Sequence, residues 1–278
     1  FNDIHLRSRV LASVGNPKLN SKFLNYSFDL PFGIAPMGMC NLAWPDADKN
    51  LAEAAKKFNI PHCVSTAASS SLEDLKKWGE GQTWFQLYVN GPTEEAWNMV
   101  YRAEASGYKT LILTVDVPVV SRRVRDLRNG LGVPFKIGLK QLVDFALHPH
   151  WSLSTIIKGI PEPKNFRQGS KNNFDRNASR AGANWEFLVE LRKKWQGNLI
   201  VKGVMDVDDA KRIQNAGIDA IWVSNHGGRQ LDSSPPALLT LPKIRDSVSL
   251  LSTSDAADEL TRLAPGTRLP HPIQTTSH

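Results

Sequence analysis

The chain has 278 residues, 41% of them hydrophobic and 22% charged, with eight Trp and eleven Phe, a balance that excludes a mainly disordered chain. Two cysteines, Cys40 and Cys63, exclude a disulfide scaffold and point to a reducing compartment. Thirty-four Lys and Arg against 27 Asp and Glu give a formal +7, which favours anionic partners, although most basic residues are interspersed with acids as on solvated helix faces.

The chain opens Phe-Asn-Asp-Ile-His, without Met and without a basic, apolar leader, as expected of an intracellular fragment or processed product. Residues 5–13 and 22–27 are expected to form a short opening hairpin. Six runs then have the composition of buried strands: 32–36 (FGIAP), 62–66 (HCVST), 84–89 (WFQLYV), 110–116 (TLILTVD), 199–204 (LIVKGV) and 220–225 (AIWVSN). Between them lie helix-like segments at 45–58, 72–78, 92–106 and 206–216, the last two acidic at their starts and closed by Gly107 and Gly217. Alternation of this kind implies parallel strands with right-handed crossovers, in a sheet buried on both faces. The expected fold is therefore α/β, a (β/α)8 barrel. The alternative is an open doubly wound sheet, against which stands the lack of a glycine-rich turn after the first strand.

One long gap, about 117–183, is rich in Gly, Pro, Asn and Arg and reads as an insertion over one barrel mouth. Inside it, 145–157 (FALHPHWSLSTII) is free of Lys, Arg, Asp and Glu, carries Trp151 and is flanked by Lys140 and Lys158. It is shorter than the about 20 residues of a spanning helix. It reads either as a segment lying in a membrane interface or as a loop covering the core.

Polar residues recur where the strands should end, and in a barrel of this type that end carries the chemistry. Ser65 and Thr66 close the second strand. Gln86 and Tyr88, two apart, share one side of the third, as Thr114 and Asp116 do on the fourth. Lys202 interrupts an apolar run, and an unpaired buried ammonium is costly. The sixth strand leads into Ser224-Asn225-His226-Gly227-Gly228-Arg229. Each has an ordinary structural explanation alone: a core tyrosine, a turn aspartate, a turn histidine. Together they describe a cationic pocket with a proton acceptor, suited to an anionic substrate and a redox or acid–base step.

LTVDVP, LIVKGV and SNHGGRQLD, with IAPMGM, VSTAASSSLEDL and WFQLYV in the same order, closely resemble the FMN-dependent 2-hydroxy-acid dehydrogenases and oxidases over residues 1–248. That family includes L-lactate dehydrogenase, S-mandelate dehydrogenase and glycolate oxidase. The resemblance implies oxidation of a lactate-like L-2-hydroxy acid to the 2-oxo acid, with FMN as cofactor and hydride acceptor and no metal. It makes His226 the base, Asp116 the support for its imidazolium, and Tyr88 a hydrogen-bonding partner of the substrate. Arg229, with Arg123 as second candidate, would clamp the substrate carboxylate. Lys202 would stabilise the reduced flavin; Ser65, Gln86, Thr114 and Ser224 would bond the cofactor, above a bed of Ala35, Pro36 and Met37. Gly38 resembles the dehydrogenase branch, where oxidases more usually carry Ala. ALHPHWSL resembles the membrane-associated lactate and mandelate dehydrogenases, which supports peripheral membrane contact through 145–157. A second copy of the chain is a compatible partner, and the electron acceptor is left open.

The family pattern fails at both ends. Its N-terminal segment with a second active-site tyrosine, and its seventh and eighth strands with the flavin-phosphate site, have no counterpart. About six of the eight βα units are therefore expected. Residues 249–278 show no family motif and read as a partly disordered tail, with a poor strand at 249–254 and a short helix at 255–263. Two alternatives follow from this reading: an inactive piece of the fold acting through a partner, and, with no motif in its favour, a basic nucleic-acid-binding module.

Overall fold

A computed structural model describes residues 8, 10, 11, 15, 17–119, 128, 138–166 and 179–248. Arg123, most of 5–13, much of the 117–183 insertion and all of 249–278 lie outside the described residues. The hairpin is formed, but by Ser21–Phe23 (β1) and Tyr26–Phe28 (β2), so both of its strands fall where only the second was expected. Leu24 and Asn25 join them with φ of 47° and 66°, the doubly left-handed turn that matches the twist of a two-residue hairpin.

All six expected strands are present: β3 (Ile34–Met37), β4 (His62–Ser65), β5 (Thr83–Leu87), β6 (Thr110–Thr114), β7 (Asn198–Val204) and β8 (Ala220–Val223). They pair in parallel in the order β3-β4-β5-β6-β7-β8. A strictly sequential order has no reversal point, which sets aside the doubly wound alternative. The sheet is curled but not closed, a half-barrel.

Helices α1 (Ala47–Lys57), α2 (Leu72–Gly79), α3 (Thr93–Ala105), α6 (Trp185–Lys194), α7 (Val207–Asn215) and α8 (Ala237–Ser247) accompany the strands. Their starts follow local chemistry. Ser71 Oγ accepts from the Asp74 amide, Asn184 Oδ1 from Phe187, and Asp206 Oδ1 from Asp208 and Asp209. One core unites Leu72, Leu75, Phe85, Leu111, Leu191 and Leu199 between helices and strands. A smaller core fills the concave side with Phe28, Cys63, Trp84, Ile112, Ile200 and Ala220. The β1–β2 hairpin closes this interior: Phe23, Tyr26 and Phe28 all stack or pack on Trp84 at 5.8–5.9 Å between ring centroids.

The apolar run in the insertion is neither one helix nor a loop. Helix α4 (Leu139–Leu147) stops at His148, and Pro149 starts α5 (Pro149–Lys158), because proline suits a first turn and cannot continue the preceding one. Trp151 Nε1 donates to Leu42 O, His150 stacks on Trp44, and Lys158 pairs with Asp46, so the helix pair sits on the loop that follows β3. Its apolar residues do not cover the core. Leu139, Leu142, Val143, Leu147, Leu153, Ile156, Ile157 and Ile160 are all more than half exposed. Among the described residues no helix is long and apolar enough to cross a membrane.

Candidate active site

Inward-facing residues change character along each strand. Ser65 follows Cys63, Gln86 follows Trp84, Thr114 follows Ile112 and Lys202 follows Ile200, each two residues nearer the C-terminal end of its strand. The register then aligns them into a polar row. Ser65 Oγ donates to Gln86 Oε1 (3.2 Å), and Gln86 Nε2 donates to Thr114 Oγ1 (3.0 Å). Thr114 is paired in register with Lys202, whose Nζ donates to Ser224 Oγ at 3.1 Å. All but Ser224 are buried, Gln86 completely.

At the end of this row stands an acid–histidine pair. Asp116 Oδ1 is 2.8 Å from His226 Nδ1, and Asp116 Oδ2 is 3.7 Å from Lys202 Nζ. An ionised carboxylate only accepts, so the Nδ1 proton of His226 points at Asp116 and, in the neutral ring, Nε2 is the nitrogen with the free lone pair. That Nε2 faces the Tyr88 hydroxyl at 3.4 Å. Burial lowers the pKa of Lys202 below the usual ammonium range, and the Asp116 charge opposes that shift. Asp116 Oδ2 is buried and accepts no hydrogen bond from the described residues.

Two backbone features make this pair possible. Gly203 has φ +110°, and a Cβ there would lie 2.5 Å from both Cβ and Cγ of Asp116. It occupies a bulge, where Lys202 pairs with Trp222 but Val204 with Val223, so one extra residue is accommodated on β7. The second feature is a run of left-handed residues, His226 (φ 56°), Gly227 (69°) and Gly228 (72°). A histidine there carries a conformational penalty of about 1 kcal/mol or more. The turn is held by Ser224 Oγ accepting from His226 N, and Asn225 Oδ1 accepting from Gly227 N.

The structure thus brings together Ser65, Gln86, Thr114, Lys202, Ser224, Asp116, His226 and Tyr88. It does not bring in Arg229, which is exposed and has no partner among the described residues, because the glycine turn carries it outward. Ala35 and Met37 are exposed and Pro36 half-buried on the edge strand β3. Gly38 passes close to the neighbouring loop: a Cβ there would lie 3.1 Å from that of Ala67.

Three residues were not singled out from the sequence. Gly203 had a signal, since a glycine inside a strand marks a bulge or close approach. Asn165 is 1% exposed and donates through Nδ2 to the carbonyls of Ser65 and Thr66, while its Oδ1 accepts from Leu72 N, fastening the insertion to the C-terminal end of β4. The Arg180 guanidinium lies 4.7 Å from the Tyr88 ring centroid. Neither Asn165 nor Arg180 stands in a pattern that betrays its contact.

A profile of the FMN-dependent dehydrogenase family matches residues 1–254. (S)-mandelate dehydrogenase of Pseudomonas putida is 39% identical over 238 residues, 84% of this chain and 60% of that protein. L-lactate dehydrogenase of Xanthobacter autotrophicus is 33% identical over 262 residues, 89% of this chain and 66% of that protein. The chain therefore spans somewhat under two thirds of the length of these curated relatives. Among solved structures, that of the monotopic membrane protein (S)-mandelate dehydrogenase superposes with a TM-score of 0.81 at 31% identity, covering 93% of this chain and 81% of that one. A mandelate oxidase variant with (S)-mandelic acid superposes with a TM-score of 0.68 at 30% identity, covering 88% and 62%.

Proposed function

The chain belongs to the FMN-dependent dehydrogenase family, and from that premise we propose that it oxidises a small L-2-hydroxy acid to the 2-oxo acid, with His226 as the base. The observation that carries this reading is the 2.8 Å Asp116–His226 contact, which selects the Nδ1–H tautomer of the neutral imidazole and so makes Nε2, turned toward Tyr88, the acceptor. His226 Nε2 takes the proton of the substrate hydroxyl, and the Asp116 carboxylate stabilises the imidazolium so formed. Tyr88 orients the hydroxyl. Arg229 and Arg123 are proposed to hold the carboxylate, Arg229 by swinging inward from its exposed position.

The residues present fit the ring of FMN. Ser65, Gln86, Thr114 and Ser224 offer a continuous row of donors and acceptors, and Lys202 adds a buried cation beside an unsatisfied carboxylate oxygen. Ala35, Pro36 and Met37 would form the bed beneath. When bound there, FMN supplies the acceptor for the hydride leaving substrate C2. The expected result is a chain that binds added FMN and whose visible flavin absorbance bleaches anaerobically with L-lactate or (S)-mandelate. His226→Gln should retain the flavin and slow bleaching by about 10²–10⁴-fold. Unchanged bleaching would remove His226 from its role, and a chain that never bleaches would overturn the activity itself.

Peripheral membrane contact through α4 and α5 belongs to the same proposal. Seven large apolar side chains on the helix pair, with Ile160 just beyond it, are each more than half exposed, the kind of surface a helix lying in an interface presents. Co-sedimentation with phosphatidylglycerol-containing vesicles should fall sharply in Ile156→Asp/Ile157→Asp, while flavin bleaching is retained. Equal sedimentation of both proteins would refute it.

A further inference from the structure

We propose that Arg180 is a positioning residue for this reaction, holding the Tyr88 phenol against His226. The inference rests on His226 being the base.

Arg180 arrives from the end of the insertion, 92 positions after Tyr88, yet it is tied to both strand ends that build the site. Its backbone N donates to Pro118 O (3.0 Å), two residues beyond Asp116, and Gly91 N donates to the carbonyl of Ser179 (2.8 Å). Its Nε donates to Oδ1 of the buried Asn90 at 3.3 Å. The guanidinium then lies over the Tyr88 ring, 4.7 Å from its centroid. The arm is pressed flat on the end of β5: a Cβ on Gly182 would stand 2.6 Å from Val89 Cγ1.

The phenol needs such a clamp. Its hydroxyl meets His226 Nε2 at 3.4 Å, the limit of a hydrogen bond, so a small tilt of the ring breaks the contact. The Tyr88 backbone is fixed by its N donating to Thr66 Oγ1 (3.0 Å), and the Arg180 guanidinium adds a contact on the face of the ring. A planar guanidinium can lie flat on a ring while it donates in its own plane, a fixed geometry that the compact ammonium of lysine on its flexible stem does not reproduce. Positive charge over the phenol also strengthens its hydroxyl as a donor, the role required toward a bare Nε2. Arg180 thus acts on His226 and the substrate through Tyr88.

A double-mutant cycle between Arg180 and Tyr88 tests this, read by anaerobic flavin reduction and by the imidazole NMR signals of His226 in the flavin-free chain. Arg180→Met should slow reduction at saturating L-2-hydroxy acid about tenfold. It should also move the His226 signals in the direction that Tyr88→Phe moves them, and change reduction less than about twofold in the Tyr88→Phe background. Arg180→Lys should recover part of the loss. Equal effects in both backgrounds, or unmoved imidazole signals, would overturn the proposal. If circular dichroism shows Arg180→Met unfolded, Asn90→Ala, which unties Nε and keeps the guanidinium, takes its place with the same expectations at smaller size. Should the wild-type chain reduce no flavin, the functional reading fails, while the imidazole signals still decide the role of Arg180.

Discussion

The two ends of the half-barrel interior are built from the same strands and differ in almost everything else. At the N-terminal end Trp84 is 4% exposed, ringed by Phe23, Tyr26 and Phe28 of the hairpin. At the C-terminal end, two to four residues further along, the same inward positions carry Gln86, Thr114, Asp116 and Lys202. One end is filled and holds the strands together. The other is a row of polar groups that keeps spare hydrogen-bonding capacity, as at the buried Asp116 Oδ2, which accepts no hydrogen bond from the described residues. Stability and chemistry are separated along the strand axis because a strand presents every second residue to the same side, so a step of two changes the layer without changing the face.

That separation can be tested from either end. Trp84→Ala empties the plug and is expected to destabilise by about 3–5 kcal/mol in urea unfolding. The His226 imidazole signals of the folded fraction should stay where they are; if they move, the two ends are coupled. A pH titration probes the region behind β4. Burial pushes the His62 pKa down to about 4, and its Nδ1 has no partner among the described residues. The unfolded chain therefore binds a proton that the folded chain refuses. Stability is full above about pH 6.5 and falls by roughly 3 kcal/mol toward pH 4. His62→Phe should flatten that part of the profile; an unchanged slope would assign the loss to other groups.

Gly203→Ala attacks the other end. Its Cβ would collide with Asp116, and alanine at φ +110° is strained, together about 2–3 kcal/mol. The characteristic outcome is loss of the downfield Nδ1 proton signal of His226 with the aromatic plug intact by Trp84 fluorescence. Retention of that signal would show that Asp116 reaches His226 without the bulge.

Much of this was legible beforehand because its causes are local. The strand positions follow from short apolar runs, the starts of α3 and α7 from their acidic first turns, and the polar strand ends from period-two spacing of Gln86 with Tyr88 and Thr114 with Asp116. The hairpin was misplaced in part because its turn is made by Leu24 and Asn25, not by a glycine pair that would mark it. The fate of 145–157 was open, since composition gives apolarity without direction. Pro149 split it, and docking on Leu42, Trp44 and Asp46 decided which side faces outward.

By itself the sequence determined the α/β alternation and the set of residue types at the strand ends, since propensity and periodicity act over a few neighbouring residues. Only the tertiary structure decided that Asp116 would reach His226 across 110 positions, that Gly203 would make room for it, that Arg180 would cap Tyr88 and that Arg229 would turn outward. Those outcomes depend on register, bulge and curl, which are properties of strands packed together and of no single segment.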